Sequence, residues 1–236
     1  MDRRSFLGVA AATAAFPSLL LDPANAVLPI SRNSRASVIY KLPPSSTRRL
    51  AWTVDDGCST DAVRKYTENC IEYNMRLTFF VYSGMSAWKA NQELMQPLID
   101  SGQIQLGNHT HMHHDLTRLS SAQIRREIWD CHNYLSDHFG VDARPYFRPP
   151  YGAWNHRVRQ VAAELGYTKL MMWSGTLADS GHISLTREMY FSRRYMNNGA
   201  VLLGHANNMN ASTLFPQLHR VATNRNLSMV TLRDAL

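Results

Sequence analysis

From residue 50 onward the chain alternates short apolar runs with longer stretches whose apolar positions recur at helical spacing. The short runs predict strands over 50–54, 77–82, 104–106, 145–148, 169–173, 200–204 and 229–232. The clearest is Leu77-Thr78-Phe79-Phe80-Val81-Tyr82, dense in aromatic and β-branched residues. The longer stretches predict helices over 60–73, 86–100, 121–138, 155–165, 186–196 and 211–223, with Gly102, Gly140 and Gly166 standing just past three of their ends. The helix over 121–138 has the best entry signals. Ser120 and Gln123 make a capping box, Leu119 and Ile124 a hydrophobic staple, and Ile124, Ile128, Cys131 and Leu135 share one face. Regular β–α alternation predicts an α/β fold with a parallel sheet. Seven units in so short a chain suit a small, irregular seven-stranded (β/α) barrel better than an open doubly wound sheet.

The first 49 residues do not share this rhythm. Arg3 and Arg4 precede Phe6-Leu7, an Ala-rich apolar run comes next, and Ala24-Asn25-Ala26 offers a cleavage site. Residues 1–26 therefore resemble a bacterial twin-arginine export signal, with a Sec-type signal or an uncleaved anchor as the alternatives. The run is too short and too weakly apolar for a stable membrane span. Export to the periplasm or the cell exterior, with the twin-arginine machinery as a partner, is the expectation. Residues 27–49, rich in Ser, Pro and Arg, read as an extended N-terminal arm, and 50–236 as one folded domain.

At 236 residues, 44% hydrophobic and 18% charged, the chain has a globular composition. Its net charge of +7 is scattered, without a basic run, which argues for a generally basic surface and against a nucleic-acid-binding arm. Cys58, Cys70 and Cys131 form neither a C-x-x-C pair nor a zinc-ribbon spacing. Cys70 and Cys131 fall at core-facing helical positions. No G-x-G-x-x-G, P-loop or G-x-S-x-G occurs, which removes support for nucleotide binding and serine hydrolysis.

The unusual polar residues collect at the C-terminal ends of the expected strands, where a β/α barrel builds its site. Asp55-Asp56-Gly57 ends the first strand, and Gly107-Asn108-His109 opens a loop that also carries His111, His113 and His114. Arg148-Pro149-Pro150-Tyr151-Gly152 follows the fourth strand, Trp173 to Asp179 the fifth, and Leu203-Gly204-His205 ends the sixth. A His-rich loop by itself is as readily a solvated or metal-scavenging tract as a ligand set. Its placement favours ligands. Adjacent carboxylates repel one another, and a cation relieves that if one Asp binds it and the other stays free as a base. An N-cap followed by turn acids is the plainer alternative.

These segments resemble the motifs of the polysaccharide deacetylase family, the NodB-homology or family 4 carbohydrate esterases. Thr53-Val54-Asp55-Asp56-Gly57 is similar to T-F-D-D-G, His109-Thr110-x-x-His113 to H-[ST]-x-x-H, Arg148 to Gly152 to an R-x-P-Y-G-type motif, and Leu203-Gly204-His205 to L-x-H. The resemblance implies a NodB-like barrel that removes N-acetyl groups from an amino-sugar polymer or oligosaccharide. It implies a divalent metal, Zn2+ first with Co2+, Ni2+ or Mn2+ as alternatives, held by Asp56, His109 and His113. It further implies Asp55 as general base, Arg148 as the partner that keeps Asp55 ionised, the Tyr151 N–H as oxyanion donor, His205 as general acid and Asp179 as its orienting carboxylate. Tyr151 and Trp154 are candidates to stack on a sugar ring; for Trp154, packing at a helix start is the alternative.

One motif departs from the family pattern. Thr176 and Ser180 stand where D-x-x-D-W has Asp and Trp. That keeps two other readings open: the same chemistry on O-acetyl esters or a non-carbohydrate amide, and a catalytically silent glycan-binding relative.

Overall fold

The computed structural model describes residues 35–236. The expected leader and the first part of the arm lie outside the described residues. In chain order the strands are β1 (Ser37–Ile39), β2 (Arg49–Asp56), β3 (Leu77–Val81), β4 (Ile104–Asn108), β5 (Tyr146–Phe147), β6 (Lys169–Met171), β7 (Gly175–Thr176), β8 (Ala200–His205) and β9 (Ser228–Met229). The helices are α1 (Thr60–Glu72), α2 (Ala87–Ala90), α3 (Gln92–Asp100), α4 (Ser121–Phe139), α5 (His156–Glu164), α6 (Leu185–Tyr195), α7 (Asn210–Thr213), α8 (Phe215–Asn224) and α9 (Leu232–Ala235). The strands form one parallel, curled sheet in the order β1-β6-β5-β4-β3-β2-β8-β7, with β9 added beside the start of β2.

The strands look uniformly apolar in sequence because both faces of the sheet are covered. Alternate residues of β2 divide between two environments. Leu50, Trp52 and Val54 face the large core shared with the helices, whereas Ala51 joins a smaller core on the other face with Phe80, Met171, Val201, Leu42 and Leu232. Helix α4 starts with the expected capping box at Ser120 and Gln123 and stops at Gly140, which takes a left-handed conformation (φ 65°). Cys70 and Cys131 are buried free thiols.

Several boundaries differ from the sequence expectations. The arm is part of the sheet: β1 pairs with β6, Lys41 bridges to Ala200, and the Leu42 N–H donates to the Gly199 carbonyl at 2.9 Å. Residues 37–42 thus span the opening between β6 and β8. Periodicity could not show this, because a three-residue edge strand is too short to display a pattern. β7 escaped for the same reason. The helix expected over 86–100 breaks at Asn91, whose side chain donates to the Ala87 and Thr60 carbonyls. The one expected over 211–223 restarts at Phe215, where Pro216 lacks the N–H needed to continue α7.

The last apolar run, expected as a strand over 229–232, becomes a strand and then the short helix α9. Thr231 and Asp234 form its capping box. Two N–H groups of α9 are taken up by strand side chains: Leu232 donates to Thr78 Oγ1 at 3.1 Å and Arg233 to Gln105 Oε1 at 2.8 Å. Leu232 is fully buried at the end of the barrel away from the strand C-termini. Leu232→Ala should lower the unfolding free energy by about 2–5 kcal/mol, the range for truncating a buried leucine. Urea denaturation should show a lower midpoint with an unchanged slope.

Candidate active site

β2, β4 and β8 each run to the last residue that carries chemistry: Asp56, Asn108 (just before His109) and His205. Asp55 continues the inward face of β2 begun by Ala51 and Thr53. Asp56 then turns, with φ 71°. Gly57 and Trp88 hold that left-handed backbone in place. Gly57 has φ 85°, and a Cβ there would stand 2.3 Å from the Trp88 ring. Trp88 in turn donates from Nε1 to the Asp56 and Tyr82 carbonyls at 3.0 and 3.1 Å. At position 57 only glycine tolerates both the positive φ and the close ring.

The His-rich loop is an irregular turn. Thr110 and His113 have φ of 72° and 57°, and the His113 N–H donates to Thr110 Oγ1 at 3.2 Å. The His113 ring lies between Tyr82 and Tyr151, with centroids 5.3 and 4.7 Å away. Glu127 of α4 anchors the loop from behind, accepting from the Met112 N–H and pairing with His114 Nδ1, both at 2.8 Å. His111 contacts Ser83 Oγ at 3.0 Å. His111 and His114 therefore face away from the cluster formed by the other two histidines.

Asp56, His109 and His113 converge, with donor atoms all within 4.8 Å of one another. Asp56 Oδ1 lies 3.2 Å from His109 Nε2 and 3.1 Å from His113 Nε2, and it is buried without a hydrogen-bond partner. Donors about 3.3 Å apart are what a tetrahedral ion with ligands at about 2 Å requires. The His109 tautomer also fits. Its Nδ1 lies 2.7 Å from the Arg148 carbonyl, so Nδ1 must donate and the Nε2 lone pair faces the cluster. These residues fit a divalent metal with two imidazoles and one carboxylate, leaving further positions open. Burial resists ionisation of Asp56, but the His109 and His113 imidazoles facing it and the positive charge of His205 outweigh burial. They hold the carboxyl well below the usual carboxylate range.

Arg148 is fully buried and makes four hydrogen bonds from its guanidinium. Nη1 donates to Asp55 Oδ1 at 2.6 Å and to Thr53 Oγ1 at 2.8 Å, Nε to the Met171 carbonyl at 3.0 Å, and Nη2 to the Met172 carbonyl at 3.2 Å. It also stacks over Phe80, 4.2 Å from the ring centroid. Burial pulls its pKa below the ordinary value, and the Asp55 and Asp56 charges oppose that shift. Asp55 Oδ2 is left facing the cluster, 3.6 Å from His109 Nε2.

Across the cleft, Asp179 is fully buried and grips His205 twice, accepting from its backbone N–H at 3.1 Å and contacting Nδ1 at 3.0 Å. Burial disfavours the charged imidazole. Asp179, Asp55 and Asp56 outweigh it, and the His205 pKa is raised. Tyr151 is largely exposed at the rim with φ 60°, and its N–H makes no hydrogen bond among the described residues. The cleft measures about 530 Å3. Asp55, Asp56, His109 and His113 line one side, His205 and Leu203 another, and Tyr151, Trp173, Thr176, Ser180 and Asn207 complete the lining.

Trp154 is not part of that lining. It packs against the main core, with the Arg159 guanidinium 5.4 Å from its ring centroid, so packing at a helix start describes its place better than sugar stacking. Trp173 takes the aromatic position in the cleft, although its sequence context marks it only as a strand residue. Asn207, Asn208 and Asn210 likewise carry no motif. Asn207 donates to Asp56 Oδ2 at 2.7 Å, Asn208 to the Asp179 carbonyl at 3.0 Å, and Asn210 to the Ile183 carbonyl at 2.6 Å. This Asn-rich run after His205 straps the 179–183 segment to the metal side of the cleft, and its composition was the available signal. Cys58 is exposed, and burial of its sulfur with the Asp56 charge pushes the thiol up to about 11.

Comparison with known proteins bears on the family and the fold. A family model described as polysaccharide deacetylase matches residues 43–170, more than half of the chain. A peptidoglycan-N-acetylglucosamine deacetylase of Listeria monocytogenes is 32% identical over 141 residues, covering 58% of this chain and 28% of that protein. The chain spans between 18% and 51% of the length of the curated relatives it matches. A family 4 carbohydrate esterase from Streptomyces lividans, solved in complex with acetate, is 25% identical with a TM-score of 0.68, over 78% of this chain and 93% of that one. A family 4 pseudoenzyme from Bacillus anthracis, 18% identical, shares the fold with a TM-score of 0.74 over 84% of this chain and 68% of that one. The family model spans more than half of the chain and the solved relatives share its fold, and the chain belongs to the polysaccharide deacetylase family.

Proposed function

We propose that the protein is an exported, metal-dependent hydrolase that removes N-acetyl groups from an amino-sugar polymer or oligosaccharide of chitooligosaccharide or peptidoglycan type. The observation that carries this is the meeting of Asp55, the Asp56–His109–His113 cluster and His205 in one cleft. A Zn2+-like ion held by Asp56, His109 and His113 would supply Lewis-acid activation of water and of the scissile carbonyl. The rest falls to the side chains of this chain. Asp55, paired with and aimed by Arg148, takes the proton from the attacking water. The Tyr151 N–H donates to the carbonyl oxygen as it gains charge. His205, kept protonated by Asp179, gives its proton to the departing amine. Trp173 and Tyr151 offer apolar walls suited to a sugar ring.

A catalytically silent binder would need neither the Asp55–Arg148 pair nor the Asp179–His205 pair, both intact here. Thr176 and Ser180 line the cleft where the family motif has other residues, and they favour O-acetyl esters as the second reading. The resemblance of residues 1–26 to a twin-arginine signal supports export, and no helix among the described residues is long and apolar enough to cross a membrane.

Acetate release measured across chitooligosaccharides, peptidoglycan and acetylated xylan separates these readings. Release from xylan alone would favour the ester reading, and release from none would sink both. The purified chain should hold about one zinc-like ion, counted by elemental analysis. His109→Ala should lose the ion and the activity together. Asp55→Asn should keep the ion and lose about 100-fold or more in kcat, the contribution of a general base; undiminished turnover would reject that assignment.

The pH profile provides a separate check. The raised pKa of His205 carries protonation of the acid to higher pH than an ordinary imidazole allows, and kcat is lost as pH rises through that pKa. Asp179→Asn removes much of the pull and should move the alkaline limb to lower pH. A limb that stays in place would mean that another group protonates the amine.

A further inference from the structure

The turn that carries Asp56 is held by a side chain outside the motifs. Asn207 stands two residues beyond the end of β8, in the lining of the cleft, and the backbone sets where it stands. Asp55 and His205 are partners in the parallel pairing of β2 and β8. The Ala206 N–H donates to the Asp55 carbonyl at 3.0 Å, and the Ser59 N–H donates to the Ala206 carbonyl at 3.1 Å. Residues 205–207 therefore run alongside 55–59, and the Asn207 carboxamide spans the turn from Asp56 to Cys58. Its Oδ1 accepts from the Cys58 N–H at 3.3 Å, and its Nδ2 donates to Asp56 Oδ2 at 2.7 Å. The same Nδ2 lies 3.5 Å from the Ser180 carbonyl.

Both contacts fix the orientation of the amide. A backbone N–H only donates and an ionised carboxylate only accepts, so the carbonyl oxygen must face Cys58 and the amino group must face Asp56. The two oxygens of Asp56 are thereby made unlike. Oδ2 is occupied by a neutral donor. Oδ1 is buried, has no hydrogen-bond partner among the described residues, and lies 3.2 and 3.1 Å from the Nε2 atoms of His109 and His113. A carboxylate free to rotate offers an ion one oxygen or both, and ordering it at the moment of binding costs entropy that a fixed side chain has already lost. A lysine at this position could also hold Oδ2 but would repel a cation, whereas an amide adds no charge.

We propose that Asn207 is a positioning residue for metal binding: it holds Asp56 Oδ2, so that Oδ1 alone is presented beside the two imidazoles to a divalent cation. This rests on the reading of Asp56, His109 and His113 as ligands, so the test reads metal binding directly and needs no turnover. The full chain is stripped of metal and titrated with zinc against a chelator of known affinity. A second titration uses cobalt(II), whose visible absorption weakens as its coordination number rises. Asn207→Leu removes both hydrogen bonds and is similar in size. It should bind zinc about 10–100-fold more weakly than wild type, the usual effect of losing the partner of a ligating group. Its cobalt complex should absorb more weakly, because Oδ2 is released to join Oδ1 on the ion.

Zinc affinity equal to that of wild type, or an unchanged cobalt spectrum, would overturn the proposal. A variant whose metal-free form melts at a lower temperature but whose zinc affinity and cobalt spectrum are those of wild type would mark Asn207 as a loop strap and overturn it too. Should Asn207→Leu not fold, Asn207→Ala removes the same amide without adding an apolar group, and it must weaken zinc binding and dim the cobalt spectrum in the same way. A wild-type chain that takes up neither ion refutes the metal site itself, and this role of Asn207 with it. Wild type and variants that bind equally well refute the role alone. If wild type holds zinc yet releases no acetate from any substrate, the hydrolase reading falls and the titrations still decide this role.

Discussion

The buried pair between Arg148 and Asp55 is the constraint on which the site depends. A buried ion pair is worth forming only when the remaining donors and acceptors of both partners are satisfied, because desolvating two charges otherwise exceeds their attraction. Arg148 meets that condition by reaching Thr53 on β2 and the carbonyls of Met171 and Met172 at the end of β6. It therefore cross-links the two sides of the curled sheet through its interior while neutralising one of two adjacent carboxylates. With Asp55 committed to Arg148, Asp56 is free to turn the other way, toward His109 and His113. The two acids separate into two environments only because a cation stands behind one of them.

The same residue organises the histidines. The Arg148 carbonyl fixes the His109 tautomer, so the backbone of the residue that neutralises Asp55 also aims the imidazole beside it. Pro149 and Pro150 come next, and Tyr151 turns at positive φ to carry its N–H to the rim. Left-handed backbone in non-glycine residues gathers here. Asp56, Thr110, His113, Tyr151 and Ala178 all have it, and all lie in the loops around the cleft. Strain of this kind persists where the surroundings over-determine the conformation, and the Trp88 clamp on Asp56 shows how that is done.

On the other side of the cleft Asp179 is buried completely and holds His205 by its ring and its backbone N–H. The Asn-rich run after His205 ties this half to the other through Asn207, whose side chain reaches Asp56. The two halves are set by different strands and joined by side-chain amides, so the distance between Asp55 and His205 does not depend on loop conformation alone.

Much of this was legible in the sequence, for identifiable reasons. Long amphipathic helices such as α4 and strongly apolar strands such as β3 announce themselves by period, and chemistry-bearing residues fell at strand ends because a parallel β/α fold leaves them nowhere else to gather. The order of Asp55, Asp56, His109, His113, Arg148 and His205 along the chain was therefore enough to name the family and the principal side chains. What the sequence could not determine rests on contacts between distant segments. β1 is a strand only because β6 and β8 leave a gap for it, and α9 is a helix only because Thr78 and Gln105 receive its N–H groups. The places of Trp154 outside the cleft and Trp173 inside it, and the partnership of Asn207 with Asp56, depend on how separate elements pack. No local pattern of residues carries that information, because the free energy that decides it is shared between segments far apart in the chain.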